Sequence, residues 1–138
     1  MDAQRCDVGS GAVALVAIKT ILRLIDHFKA KNILEVGLGI GAICDSVLQY
    51  GKMNNCSLHY VGTEANAFCL DALPKNVTDF DKIELYTSVS ELPVQSFDII
   101  IVDGADDSFA KIASLCHKDT IIYLEGDRAP QTQSVKQF

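Results

Sequence analysis

Three glycines at alternate positions, Gly37, Gly39 and Gly41, follow an acid, Glu35, that stands inside an apolar run of Ile33, Leu34 and Val36. Glycine permits positive φ and lets a ligand approach the backbone with no Cβ in the way. Ile43, Val47 and Leu48 then fall at helical spacing. The turn therefore opens into a helix whose first N–H groups point at whatever lies there. Strand, glycine turn and helix start together make a cradle for a small molecule at the carboxyl end of a strand. Two more acids stand where apolar runs end. Glu64 closes Leu58–Thr63, and a carboxylate there can accept hydrogen bonds from two hydroxyls at once. Asp103 closes Phe97–Val102, the most hydrophobic run of the chain. Glu35 needs hydrogen bonds or a cation nearby, because a buried carboxylate is otherwise costly.

The elements that must hold these residues alternate between helix and strand. Val13, Val16, Ala17, Ile21, Leu24, Ile25 and Phe28 recur every three or four positions, which predicts an amphipathic helix over 10–29 with Ser10 as its cap. The first strand spans about 32–36. The helix after the glycine turn is expected to end near Tyr50, with Gly51 as terminator. The second strand covers 58–64. Asn66 caps a short helix carrying Phe68, Leu70 and Leu73, which Pro74 is expected to stop. Ile83–Thr87 alternates apolar and polar residues, as a strand near a sheet edge would. Phe97–Asp103 is β-branched with no helical period, the mark of a central parallel strand buried on both faces. Asp106 or Asp107 caps a helix to about Cys116, and Thr120–Leu124 makes the fifth strand. Such alternation predicts an α/β three-layer sandwich around a doubly wound, mainly parallel sheet. The expected strand order is 3-2-1-4-5, and the switch point between strands one and four lies beside the glycine turn, where ligands of such sheets bind.

Composition narrows the classes. The chain has 138 residues, enough for one domain over 1–138, and 49% of them are hydrophobic. A net charge of -6 argues against a nucleic-acid groove held by electrostatics. Five scattered cysteines, Cys6, Cys44, Cys56, Cys69 and Cys116, form no C-x-x-C, so free thiols in a reducing cytoplasm are expected. No two cysteines or histidines sit at zinc-ligand spacing. Asp2 and Asp7 stand where a signal peptide would be basic, and Lys19 and Arg23 interrupt the apolar run that a membrane span would need. His27, His59 and His117 fall on separate elements and read as surface or partly buried residues, not catalytic ones.

The glycines alone fit two ligands. Gly37-x-Gly39-x-x-Ala42 satisfies the dinucleotide fingerprint. Gly37-x-Gly39-x-Gly41, with Glu35 two residues earlier, satisfies the S-adenosylmethionine version, and Glu64 suits either. An acid inside the first strand, a whole helix before that strand and Asp103-Gly104 at the end of the fourth favour the second. Here the chain resembles the class I S-adenosylmethionine-dependent methyltransferases, a Rossmann-like family. Glu35–Gly41 looks like their first motif and Tyr60–Glu64 like their second. Phe97–Gly104 looks like their fourth strand and Thr120–Glu125 like their fifth. The resemblance covers about residues 10–130 and is nearest to the small-molecule O-methyltransferase-like branch.

The resemblance implies a set of roles. Gly37, Gly39 and Gly41 let the methionine part of the cofactor lie against the backbone. Glu35 orients the loop and helps hold the ammonium, Glu64 holds the ribose hydroxyls, and Ser88 and Val89 border the adenine. Asp103 faces the methionine end and stands nearest the chemistry as the catalytic residue. The implied activity is methyl transfer from S-adenosylmethionine to a small-molecule acceptor, with no nucleic-acid or membrane partner. Departures are also legible. Thr87, Ser88, Val89 and Ser90 hold no acid for the adenine amino group. Glu125-Gly126-Asp127 replaces the Asp-Asn pair of the magnesium-dependent branch, so no metal is assigned. No Asn-Pro-Pro-Tyr follows strand four, which argues against methylation of base amines. The family fold usually continues through a further helix and two hairpin strands. Their absence would leave an edge beyond strand five for a second subunit to cover in a homodimer. Other readings stay open: a module that binds S-adenosylmethionine or S-adenosylhomocysteine without catalysis, a nicotinamide-dependent oxidoreductase, and an aminopropyl-transfer enzyme.

Overall fold

The structure is a computed structural model that describes residues 10–103 and 109–125. Its elements in chain order are α1 (Ser10–Phe28), β1 (Asn32–Val36), α2 (Ala42–Met53), β2 (His59–Thr63), α3 (Ala67–Asn76), β3 (Ile83–Tyr86), β4 (Phe97–Val102), α4 (Phe109–Ser114) and β5 (Cys116–Leu124). Single 3-10 turns cover Phe80–Lys82 and Val89–Glu91. The predicted caps Asp106 and Asp107, Gly104 and Asp127 lie outside the described residues.

The five strands form one sheet in the order β3-β2-β1-β4-β5, every pair parallel, as the alternation predicts. Parallel strands need crossovers, and the helices supply them on both faces. On one face Ile33, Tyr60, Ile99 and Ile101 pack against Ala17, Ile21 and Ile25 of α1, Ile43, Cys44 and Val47 of α2, and Leu73 of α3. On the other, Leu34, Val36, Val61, Ile100 and Val102 meet Phe109, Ile112 and Leu115 with Val89 and Leu92. β1 and β4 lie in the middle with both faces covered, which is why their sequences are nearly continuous apolar runs.

Four local expectations need correction. Gly51 does not end α2; the helix runs on to Met53. A Cβ at Gly51 would lie 3.0 Å from both the Cys56 carbonyl oxygen and Leu58, so this glycine serves close packing and not termination. Pro74 does not stop α3, which continues to Asn76; proline there removes the bond to the Leu70 carbonyl and no more, one turn before the end. The fifth strand starts at Cys116, earlier than the apolar pattern suggests, and α4 correspondingly ends at Ser114. His117 and Thr120 bond Asp98 and the Phe97 carbonyl and draw this polar segment alongside β4 through a register irregularity. Val16 and Phe28, expected to face inward, are exposed, because the stripe that α1 buries is the narrow Ala17–Ile21–Ile25 line.

Candidate functional site

The site is built from one row of backbone hydrogen bonds. Just past the ends of the strands, the Glu125 N–H donates to the Val102 carbonyl at 3.0 Å and the Asp103 N–H to Val36 at 2.9 Å. The Gly37 N–H donates to Thr63 at 3.1 Å and the Glu64 N–H to Tyr86 at 3.0 Å. This row crosses all five strands and sets Glu125, Asp103, Gly37 and Glu64 side by side along the carboxyl rim. Parallel pairing therefore gathers acids that lie far apart in the chain.

The glycine turn sits at the centre of the rim. Gly37, Gly39 and Gly41 have φ of +87°, +58° and +98°, conformations an L side chain adopts at a cost. The three glycines face different surroundings. A Cβ on Gly41 would stand 2.4 Å from Val77 Cγ2, so Gly41 lets α3 close on the start of α2. A Cβ on Gly39 would meet nothing within 4 Å, so Gly39 borders open space. Gly62, opposite Glu35 in the β1–β2 register, accommodates Leu38, whose methyls would lie 2.5 and 2.6 Å from a Cβ there. Leu38 thus anchors the turn against the sheet. Gly37 N–H also reaches Thr63 Oγ1 at 3.2 Å, and Asn76 Nδ2 donates to the Ile40 carbonyl at 3.0 Å.

Glu64, half-buried, clasps this loop. Its Oε2 accepts from Gly39 N–H at 2.8 Å, and Oε1 accepts from the N–H groups of Ala65 at 3.1 Å and Asn66 at 2.9 Å. Asn66 caps α3 as expected, accepting from Cys69 N–H at 3.2 Å. Glu35 is buried within the sheet layer, and its Oε1 accepts a 2.6 Å hydrogen bond from the hydroxyl of Tyr60, itself buried. Burial pushes the Glu35 carboxyl well above the usual carboxylate range; Tyr60 pulls it down, and the charges of Asp103, Glu64 and Glu125 push it further up. Burial likewise raises the Tyr60 hydroxyl, and Glu35 adds to the effect. Burial also raises Tyr123, with the Glu125 charge and a hydrogen bond to Glu125 next, then Asp103. The rim therefore sets Asp103, Glu64 and Glu125 close enough to Glu35 for their charges to act on it, beside a backbone cradle.

The predicted residues distribute as follows. Glu35, Gly37, Gly39, Gly41, Glu64 and Asp103 come together around the turn. Ser88, at the start of the 3-10 turn after β3, accepts from Ser90 N–H at 3.1 Å and remains partly exposed. Val89 is fully buried in the second core cluster, so what it offers a ligand is its backbone. The histidines lie elsewhere: His59 pairs with Glu84 at 2.8 Å and His117 with Asp98 at 2.9 Å, both near the opposite, amino ends of the strands. Thr63 and the hydrogen bond of Tyr60 were not readable as site features. Tyr60 sits in a strand, where an aromatic reads as core; the signal was the partner that a buried Glu35 requires. Among the described residues, no group of three or more His, Cys, Asp or Glu is arranged to hold a metal ion, and no helix is long and apolar enough to cross a membrane.

No protein-family model matches the chain and no curated protein matches it significantly. Solved structures do match. An O-methyltransferase from Bacillus cereus in complex with S-adenosylhomocysteine is 19% identical with a TM-score of 0.62, over 89% of this chain and 66% of that one. A ribosomal protein L11 methylase from Lactobacillus delbrueckii subsp. bulgaricus is 16% identical with a TM-score of 0.65, over 91% and 63%. A TehB-like S-adenosylmethionine-dependent methyltransferase from Corynebacterium glutamicum is 20% identical with a TM-score of 0.58, over 84% and 70%. The chain spans between 47% and 70% of the length of eight solved structures that it resembles. The five-stranded parallel sheet in the order 3-2-1-4-5, with its flanking helices and glycine turn, is the Rossmann-like fold of the class I S-adenosylmethionine-dependent methyltransferases.

Proposed function

We propose that the chain binds S-adenosylmethionine at the carboxyl rim and transfers its methyl group to a small-molecule acceptor. The observation that supports this reading is the row of backbone bonds that sets Gly37, Glu64 and Asp103 side by side, with Glu35 buried two residues before Gly37. The residues suit the cofactor chemically. The turn has open space beside Gly39, and four carboxyl groups favour the cationic methionine end. In this reading the turn holds the methionine backbone, Glu35 serves its ammonium, Glu64 accepts from the ribose hydroxyls, and Ser88 and Val89 border the adenine. When bound, the cofactor would supply an electrophilic methyl on a sulfonium whose sulfur would leave as a neutral thioether. Asp103 would align the acceptor in line with that bond and take the proton the acceptor sheds. A small molecule suits the negative net charge better than a polyanion does.

We extend the proposal to a reducing cytoplasm, on the free thiols of Cys44, Cys56 and Cys116, and to a homodimer joined along β5, where Ile121 to Leu124 are half-exposed. Sedimentation of the purified chain reads the second; a monomer at high concentration removes it. Calorimetric titration with S-adenosylmethionine, S-adenosylhomocysteine and NAD tests the first claim. Tight NAD binding with no response to the sulfonium cofactor sinks it. Binding without turnover on a broad acceptor panel leaves a cofactor-binding module without its own catalysis.

A further inference from the structure

We propose that Tyr60 is a positioning residue for the cationic end of the ligand, its hydroxyl fixing one oxygen of Glu35 so that the carboxylate meets an incoming ammonium in a single preset orientation. The inference rests on the reading of the site as an S-adenosylmethionine cradle. Its own basis is geometric. Tyr60 and Glu35 lie on adjacent strands and on the same face of the sheet, one step apart in register, since Ile33 stands opposite Tyr60 and Glu35 opposite Gly62. Gly62 presents no side chain to Glu35, so Tyr60 is the β2 side chain that can reach it. The bond is 2.6 Å, and its two members are 0% and 1% exposed. A short hydroxyl-to-carboxylate bond between two buried side chains fixes the rotamer of a side chain that otherwise has three torsions to explore. An ammonium arriving at a carboxylate already fixed loses less ordering entropy on binding.

The bond also governs protonation. The groups that face Glu35 are Tyr60 from β2, Asp103 past β4, Glu64 past β2 and Glu125 past β5, with Cys44 from α2 nearby. Burial and the three acids favour the neutral carboxyl, whereas Tyr60 alone in this set favours the carboxylate. Without the tyrosine donor, an ammonium ligand would meet a neutral carboxyl over a wider range of pH.

The test compares S-adenosylhomocysteine, which carries the amino-acid ammonium, with methylthioadenosine, which lacks it, by calorimetry at several pH values. Tyr60→Phe is expected to weaken S-adenosylhomocysteine about tenfold, in line with one charged hydrogen bond, and to leave methylthioadenosine unchanged. It is also expected to move the acid limb of the S-adenosylhomocysteine affinity profile to higher pH. Equal weakening of both ligands, or of neither, overturns the proposal, as does an unmoved acid limb. If Tyr60→Phe does not fold, 3-fluorotyrosine at position 60 keeps the hydroxyl and makes it a stronger donor. The acid limb must then move to lower pH, and an unmoved limb again overturns the idea. Should the unaltered protein bind neither ligand, the cofactor reading itself fails and this inference falls with it.

Discussion

Alanine at Gly41 and alanine at Gly39 should break the protein in different ways. At Gly41 the new Cβ would stand 2.4 Å from Val77 Cγ2 and 3.1 Å from Leu73 Cδ2, at φ +98°. Carbon atoms in contact prefer about 3.5–4.0 Å, so the Val77 contact is short by more than an ångström. Overpacking of this kind costs about 1–3 kcal/mol, and α3 must shift to relieve it. The left-handed backbone adds about 1–2 kcal/mol for a residue with a Cβ. Gly41→Ala should therefore lose roughly 2–5 kcal/mol of stability. At Gly39 the backbone cost of about 1–2 kcal/mol applies alone, because nothing lies within 4 Å of the added carbon. That carbon instead projects into the space proposed for the ligand. Urea denaturation of both variants, with cofactor titration of each, reads the two effects separately. Gly39→Ala should stay folded and lose binding; Gly41→Ala should lose stability first. If Gly39→Ala proves as unstable as Gly41→Ala, the steric assignment of the turn is wrong.

Other outcomes follow from the same site. If the proposed ribose contacts are made, Glu64→Ala should weaken S-adenosylmethionine binding by about 1–3 kcal/mol through their loss and the unclasped loop; unchanged affinity in a titration removes Glu64 from the site. Glu35→Gln should raise the stability of the ligand-free protein at pH 8 while weakening the ligand. The folded-state value of this carboxyl lies above its unfolded value, so the protein loses stability as pH climbs from the ordinary carboxylate value toward the folded one. A thermal melt at pH 8 showing lower stability for the variant would contradict this. Asp98 shifts the opposite way. Burial acts to raise its carboxyl, but the N–H groups of Asn32 and Lys31 and the His117 ring outweigh that and hold it low. Its contribution is therefore present above the ordinary aspartate value and is lost as pH falls through the folded one. Asp98→Asn should flatten the acid side of the stability curve, and an unaltered acid transition would show that the contact is idle.

Much of the architecture could be read from the chain because each strand carries its own burial signature. Phe97–Val102 has no helical period and is β-branched, and it occupies the sheet interior. The glycine spacing likewise implied positive φ, which all three residues adopt. What could not be read depends on partners distant in sequence. Gly51 and Pro74 look like stops in isolation; whether a helix ends there depends on how the next loop packs. Cys116–Thr120 is polar and reads as a connection, but Asp98 and the Phe97 carbonyl recruit it into β5. The need of Glu35 for a partner was legible, yet the partner's identity came from register. No single-strand pattern reveals that Tyr60 stands one step away or that Leu38 fills the space over Gly62.

The sheet order has a consequence for how the chain is made. β1 bonds β2 on one side, close in sequence, but its other edge waits for β4, with Asn32 and Asp98 66 residues apart. Closing a segment of that length costs about 3–4 kcal/mol of chain entropy before any contact offsets it. As synthesis proceeds, β1, β2 and β3 can assemble with the glycine turn and Glu64 in place. Until β4 emerges, the apolar flank of β1 is an open template for another nascent chain. Before β4 emerges the rim is half-built and lacks Asp103. The interval between emergence of β3 and β4 is therefore the window in which chaperone binding, or slower translation, should most affect the yield of folded protein.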